Sequence, residues 1–288
     1  MTAEPRIPPE VARIDYIARW REIVERRRAQ MDAAYAAAGR TSDDYWASRA
    51  QGYRRATRDS VERDPLYQRV RATAGGDDTL LDVGAGTGRH TVALAAHVKH
   101  VTAVEPSGAM LALLQEDVRA QGIANVEVVQ AEWMQAGVAP ADYVICSHVL
   151  YPIADVVPFV RKLAAHARKR VFIALRADPM ATDFGLWAEF YGVPLQHQPV
   201  HMDLLNVLAQ IGIFADVEVA EFRFPWVFDS VEGAYDEVNT RLCLPEDDAA
   251  AHAKLRRLLE ERLTSRADGR VEMEHAGGQR TAVLSWAP

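Results

Sequence analysis

Residues 80–90 read LLDVGAGTGRH: an apolar run, Asp82, then Gly84, Gly86 and Gly88 alternating with Ala85 and Thr87. Glycine reaches backbone angles closed to other residues and carries no side chain, so a ligand can lie against bare main chain there. Set between a strand and a helix, such a turn offers its N–H groups at the carboxyl end of a sheet. Two later stretches carry groups that could act beside it. TAVEPS brings Glu105 and Pro106 to the end of the next apolar run, and ICSHVLYPI brings Ser147, His148 and Tyr151 to the end of a later one. Histidine exchanges protons near neutral pH, so His148, His197 and His201 are candidates for a general base, with Tyr151 and Tyr191 as hydrogen-bonding groups. His197 and His201, in GVPLQHQPVHMD, also invite a metal reading. Pro194 and Pro199 oppose a helical ligand pair and no third ligand follows, so no metal is expected.

The elements that must position these groups follow from the hydrophobic pattern. From residue 77 the chain alternates short apolar strands with helices: TLLDVG (79–84), HVTAVEP (100–106), VEVVQA (126–131), ADYVICS (141–147) and RVFIALR (170–176) are the strands. Continuous apolar strands separated by helices of roughly ten to fifteen residues predict a parallel sheet covered on both faces and, with right-handed crossovers, doubly wound. Residues 1–75 read as helical. Pro8 and Pro9 suit a first turn, TSDDYW a second helix start, and Pro65 a third that ends at Gly75–Gly76. After 177 a long irregular connection leads to a helix (LLNVLAQIG), a strand (DVEVAEFRF), two charged helices over 229–264 and a last strand after Gly277–Gly278. The expected division is a helical segment 1–75, a core 76–228, a helical insertion 229–268, and residues 269–288 returning a strand to the core sheet.

The glycine spacing discriminates between ligands. Dinucleotide loops favour G-x-G-x-x-G, whereas this one is G-x-G-x-G preceded by Asp82. LLDVGAGTG resembles the first motif of the class I S-adenosylmethionine-dependent methyltransferases, and the resemblance extends over residues 41–176. It implies a Rossmann-like α/β fold with a doubly wound, mostly parallel seven-stranded sheet and S-adenosylmethionine as cofactor. It places Asp82, Gly84, Ala85, Gly86 and Gly88 in the cofactor loop. Glu105, followed by Pro106, falls about 20 residues past the loop, where two carboxylate oxygens can take both ribose hydroxyls. VVQAEWMQ would give Glu132 to the adenine amino group and Trp133 to the ring, with core packing as the other reading of the tryptophan. Ser147 and His148 would lie beneath the methionine end, with Tyr151 facing the acceptor; His148 and Tyr151 are the candidate catalytic residues. DDYWASRAQGYRRAT resembles the aromatic lid of many small-molecule members. Tyr45, Trp46 and Tyr53 would cover the sulfonium, a contact of about 0.5–2 kcal/mol, and Arg49 would hold the carboxylate. A helix packing onto a domain would show the same aromatics, so both readings stand.

Composition narrows the partners. The net charge of −7 opposes a nucleic-acid face, and ERRRAQ (25–30) has Glu22 and Glu25 beside it, as a solvated helix does. SHVLYP stands where amino-methylating enzymes of nucleic acids and proteins carry Asn-Pro-Pro-Tyr, so a small-molecule acceptor is expected. Phe184, Trp187, Phe190, Tyr191 and Trp226 suit either its pocket or the packing of an irregular connection. Only two cysteines, Cys146 and Cys243, and no run near the ~18–20 apolar residues of a membrane span lead to a cytosolic, membrane-free protein, monomeric or homodimeric. The N-terminus lacks the charged and apolar regions of a signal peptide. Two alternatives are a nicotinamide-dependent oxidoreductase and a protein that binds S-adenosylmethionine without transferring its methyl group.

Overall fold

Leu80 lies on one face of its strand and Leu81 and Val83 on the other, so the strand must be covered on both sides. The computed structural model describes residues 14–40, 49–58, 60–178, 185–222, 226–273 and 280–288. Its strands in chain order are β1 (Thr79–Val83), β2 (His100–Val104), β3 (Val126–Val129), β4 (Ala141–Ser147), β5 (Ala167–Arg176), β6 (Asp216–Glu221), β7 (Trp226–Phe228), β8 (Leu263–Ser265), β9 (Val271–Met273) and β10 (Arg280–Trp286). The helices are α1 (Tyr16–Ala37), α2 (Ala50–Arg58), α3 (Pro65–Thr73), α4 (Arg89–Ala95), α5 (Gly108–Ala120), α6 (Val156–His166), α7 (Trp187–Tyr191), α8 (His201–Gln210), α9 (Val231–Leu242) and α10 (Ala249–Arg262).

Seven strands form one sheet in the order β3-β2-β1-β4-β5-β10-β6. β1 pairs in parallel with β2 and β4, and β10 runs antiparallel between β5 and β6. This is the doubly wound, mostly parallel sheet expected from the sequence. The order reverses between β1 and β4, the kind of switch point at which doubly wound sheets open a crevice at the carboxyl ends of their strands. One apolar layer packs Trp20 and Val24 of α1, Phe159 and Leu163 of α6 and Leu204 and Leu208 of α8 on Leu81, Val144 and Ile173. The other packs Leu66 and Val70 of α3 and Leu94 of α4 on Leu80, Val101 and Phe172.

The N-terminal helices therefore divide their work. α1 and α3 belong to opposite layers of the core, whereas α2 packs Ala50 against Met110 and Leu113 of α5 and brings Tyr53 to the glycine loop. α1 begins at Tyr16, after Asp15, whose carboxylate accepts the Ile17 and Ala18 N–H groups at 3.0 and 3.1 Å. The helix starts expected at Pro8–Pro9 and at TSDDYW fall outside the described residues. Asp64 caps α3 in the same way, with Pro65 in the first turn.

The C-terminal region differs from the expected all-helical insertion. α9 and α10 are joined by a three-stranded antiparallel sheet, β7-β9-β8, so β7 leaves the core and residues 271–273 are not part of its last strand. The missed signal is Asp268–Gly269, a hairpin dipeptide in which Gly269 takes φ +82°. This unit has its own apolar centre, where Tyr235, Val238, Leu255 and Leu259 meet Tyr35 of α1 and Trp187 of α7.

Candidate functional site

The loop after β1 holds Gly84, Gly86 and Gly88 at φ +74°, +56° and +85°, a region that side chains rarely permit. A Cβ on Gly84 would stand 2.2 Å from Val149 Cγ2, and one on Gly88 would stand 2.7 Å from Leu114 Cγ. These two glycines let the loop settle against the segment after β4 and against α5. Gly86 is different. A Cβ there would meet Tyr53 Cε1 at 3.9 Å, ordinary van der Waals contact, so the fold's own packing leaves room for a side-chain atom at this position. Ala85 is buried, and its N–H donates with that of Gly84 to Val104 O at 3.1 and 2.8 Å, which ties the loop to the end of β2.

Glu105, the first residue past β2, is 7% exposed and turns its carboxylate to the loop. Oε2 accepts the Gly86 N–H at 3.0 Å and Oε1 the Ser107 N–H at 2.9 Å. Burial raises its pKa, and those two hydrogen bonds oppose the rise. Each oxygen keeps lone pairs for a further donor. Asp82 lies beneath the loop at 1% exposure and accepts the Thr91 hydroxyl at 2.7 Å, bracing β1 against α4. Burial raises its pKa as well. Pro106 is exposed, and its carbonyl accepts the Gln130 amide at 3.3 Å.

Glu132 stands exposed in the turn after β3, near enough that its charge raises Glu105. Trp133, expected beside an adenine ring, is instead committed to the core at 3% exposure. Its Nε1–H donates to Phe159 O at 3.4 Å, His166 meets its ring edge at 5.0 Å, and the Lys162 ammonium sits 4.5 Å from its centroid. The apolar side chain open to solvent in that turn is Met134.

On the lid side, Tyr45 and Trp46 lie outside the described residues. Tyr53 of α2 reaches the loop at Gly86, held there by Arg54, whose guanidinium grips Asp117 and Glu116 of α5. Arg49 is buried and donates to Thr240 O of α9 at 3.1 Å, so it links α2 to the C-terminal unit.

Across the crevice, Ser147 ends β4 half-buried and His148 follows at φ +59°. Tyr151 Oη lies 2.7 Å from His148 Nδ1 and accepts the Arg176 backbone N–H at 3.0 Å. Burial, then the charges of Arg176 and Arg89, hold His148 well below the usual histidine range, and burial pushes Tyr151 up to about 12. Their mutual hydrogen bond suits the imidazole and the phenol to binding and orienting a ligand. His197 is exposed in its loop and His201 begins α8, and no group of three metal-ligating side chains occurs among the described residues. The aromatic cluster packs the second core: Trp187 stacks on Tyr191 at 4.2 Å, and Tyr191 donates to Leu242 O at 2.6 Å. Phe184 lies outside the described residues.

Two groups escaped the sequence reading. Arg176 closes the apolar strand RVFIALR, and a charge at the carboxyl end of such a strand was the available signal. Asp64 forms a buried ion pair with Arg89, the first residue of α4, with His90 Nε2 at 3.4 Å; residues in separate helices give no spacing signal.

Residues 80–170 match the family described as "Methyltransferase domain". A protein of Haemophilus influenzae described as uncharacterized is 31% identical over 147 residues, 50% of this chain and 54% of that protein. The chain thus spans about half the length of the curated relative it matches. Among solved structures, YcgJ of Bacillus subtilis is 15% identical with a TM-score of 0.49, covering 76% of this chain and 96% of that one. Magnesium protoporphyrin IX methyltransferase of Synechocystis PCC 6803, solved with bound SAH, is 20% identical with a TM-score of 0.47, covering 59% and 80%.

Proposed function

Because residues 80–170 form a methyltransferase domain, of the class I kind that uses S-adenosylmethionine, we propose that the protein transfers that cofactor's methyl group to a small-molecule acceptor. The observation that carries this reading is the left-handed main chain at Gly86, bare of any side chain, with its N–H donating to the buried Glu105 carboxylate and Tyr53 facing it. The loop from Gly84 to Gly88 and Glu105 fit the cofactor's nucleoside half: glycine lets it approach, and free carboxylate lone pairs await its hydroxyls. The cofactor supplies a methyl group on a positively charged sulfur, an electrophile ready for in-line displacement.

The chain's own task is alignment. The segment Ser147–Tyr151 forms one wall of the crevice and Tyr53 of α2 covers the loop, so an acceptor bound between them is held in line and shielded from water. Positioning of this kind lowers a barrier by roughly 7–11 kcal/mol. The net charge of −7 and the sequence SHVLYP after β4 support a small molecule over nucleic acid or protein as acceptor. No helix among the described residues is long and apolar enough to cross a membrane, and Cys146 and Cys243 are free. A reducing cytosol suits that state, and we take the protein to act there as a monomer or homodimer.

Calorimetry with S-adenosylhomocysteine and with NAD(H) tests the cofactor; tighter binding of the nicotinamide would overturn the reading. Release of S-adenosylhomocysteine across a panel of small acceptors tests transfer. Binding without turnover on any of them would mark the protein as a cofactor-binding module.

A further inference from the structure

A phenol has one proton to give. The Tyr151 oxygen accepts the Arg176 N–H at 3.0 Å, so its proton turns to the other neighbour, His148 Nδ1, at 2.7 Å. Nδ1 is thereby an acceptor, and in a neutral imidazole the ring hydrogen must sit on Nε2. That N–H is sealed from solvent and has no hydrogen-bond partner among the described residues. Leaving a buried donor unsatisfied costs stability. The chain also bends to keep it there, since His148 holds φ +59° while its backbone N–H donates to Ala174 O at 2.9 Å.

The position is not remote. The next residue, Val149, fills the space that a side chain on Gly84 would occupy, so the histidine borders the glycine loop. Tyr151 also touches Arg176. The guanidinium stands 5.5 Å from the Tyr151 ring centroid and donates to Gln198 Oε1 at 3.2 Å. Arg54, Arg89 and Arg170 each meet a carboxylate, whereas Arg176 meets none among the described residues. A cation without a carboxylate partner and a donor without an acceptor, among the described residues, thus flank one tyrosine at the ends of neighbouring strands.

We propose that His148 Nε2–H and the Arg176 guanidinium together receive an anionic oxygen, so that the methyl acceptor is a molecule carrying a carboxylate or phenolate group. The inference rests on the methyltransferase reading and narrows it to a substrate class. His148 serves as a fixed donor, and Tyr151 is the positioning residue that sets its tautomer. A charged oxygen draws more from both groups than a neutral amine or amide would, because charge-assisted hydrogen bonds are about twice as strong as neutral ones.

The test uses full-length protein with nitrogen-15-labelled histidine, saturated with S-adenosylhomocysteine, and with the His148 signals assigned from His148→Gln. Near neutral pH the Nε2–H tautomer is expected. Formate, the smallest carboxylate, should shift the Nε2 signal saturably, while formamide and matched chloride should not. Arg176→Gln should weaken formate by about tenfold or more, and Arg176→Lys should restore part of the loss. An Nδ1–H tautomer, an imidazolium, equal response to formamide, or an unaltered formate response in Arg176→Gln would each overturn the proposal. Wild-type protein that fails to bind S-adenosylhomocysteine would instead remove the methyltransferase reading. Binding of that compound beside a formate-blind His148 removes the present inference alone.

Discussion

Gly84, Gly86 and Gly88 share a left-handed backbone for different reasons, and substitution separates them. Gly84→Ala brings a Cβ to 2.2 Å from Val149 on top of its backbone strain, and we expect it to cost about 2 kcal/mol or more of unfolding free energy in denaturant titrations. Gly86→Ala has space, its nearest neighbour lying at 3.9 Å, so its stability cost stays near the ~1–2 kcal/mol of a left-handed alanine. Its main effect should be weaker S-adenosylhomocysteine binding, because the new methyl group occupies the face of the loop that Tyr53 covers. Equal binding by this variant and the wild type would move the cofactor away from Gly86. The carboxylates divide likewise. Glu105→Ala should weaken cofactor binding by about 1–3 kcal/mol in calorimetry. Asp82 holds the buried Thr91 hydroxyl at 2.7 Å, so Asp82→Ala should appear first as lost stability.

Among the elements, α2 is joined to its surroundings by polar side chains more than by apolar burial. Arg54 binds both carboxylate oxygens of Asp117, and among the described side chains Ala50 and Tyr53 add apolar contact with α5. Arg54→Ala should therefore speed amide exchange and proteolysis in residues 50–58 while the denaturation midpoint moves little, since local openings of a lid need not unfold the sheet. Unchanged exchange there would mean that α2 is held from elsewhere. α3 and α4 are coupled more tightly. Asp64 caps α3 and pairs with Arg89, a residue 9% exposed. Asp64→Ala leaves that guanidinium buried without the carboxylate, and a loss of about 3–5 kcal/mol is expected.

For the whole molecule the buried titratable groups set how stability follows pH. Burial, then the charge of Arg89, holds His90 at about 3, and His148 is held down as well. Unfolded, both titrate near 6.5, so below about that pH the unfolded chain binds protons that the folded one refuses, and each histidine takes away about 1.4 kcal/mol per pH unit. Asp82 and Glu105 act in the opposite sense. Their raised carboxyls keep protons that the unfolded chain has released, a contribution complete in acid and lost as pH rises through their folded values. The net slope is a difference, and the clean observable is its change: His90→Gln should remove about one histidine's share between roughly pH 6.5 and 4 in denaturant midpoints. A slope identical to wild type would show His90 charged in the folded state.

Short, largely apolar runs between turn signals, such as LLDV and YVICS, read as interior strands, and a glycine-built turn behind the first of them reads as a loop of close approach. The strand–helix alternation, the parallel sheet, the loop and its acid Glu105 were therefore determined by residue order alone. Which way a side chain turns was decided by what tertiary contacts bring to it. Trp133 went inward because Phe159, His166 and Lys162 arrive from α6 to enclose it. Arg49 turned to α9, Arg89 to Asp64, and Tyr151 to the Arg176 backbone, pairings across separate segments that no spacing encodes. The tautomer of His148 is of the same kind: it depends on one backbone N–H from the neighbouring strand, and only folding sets that group beside the phenol.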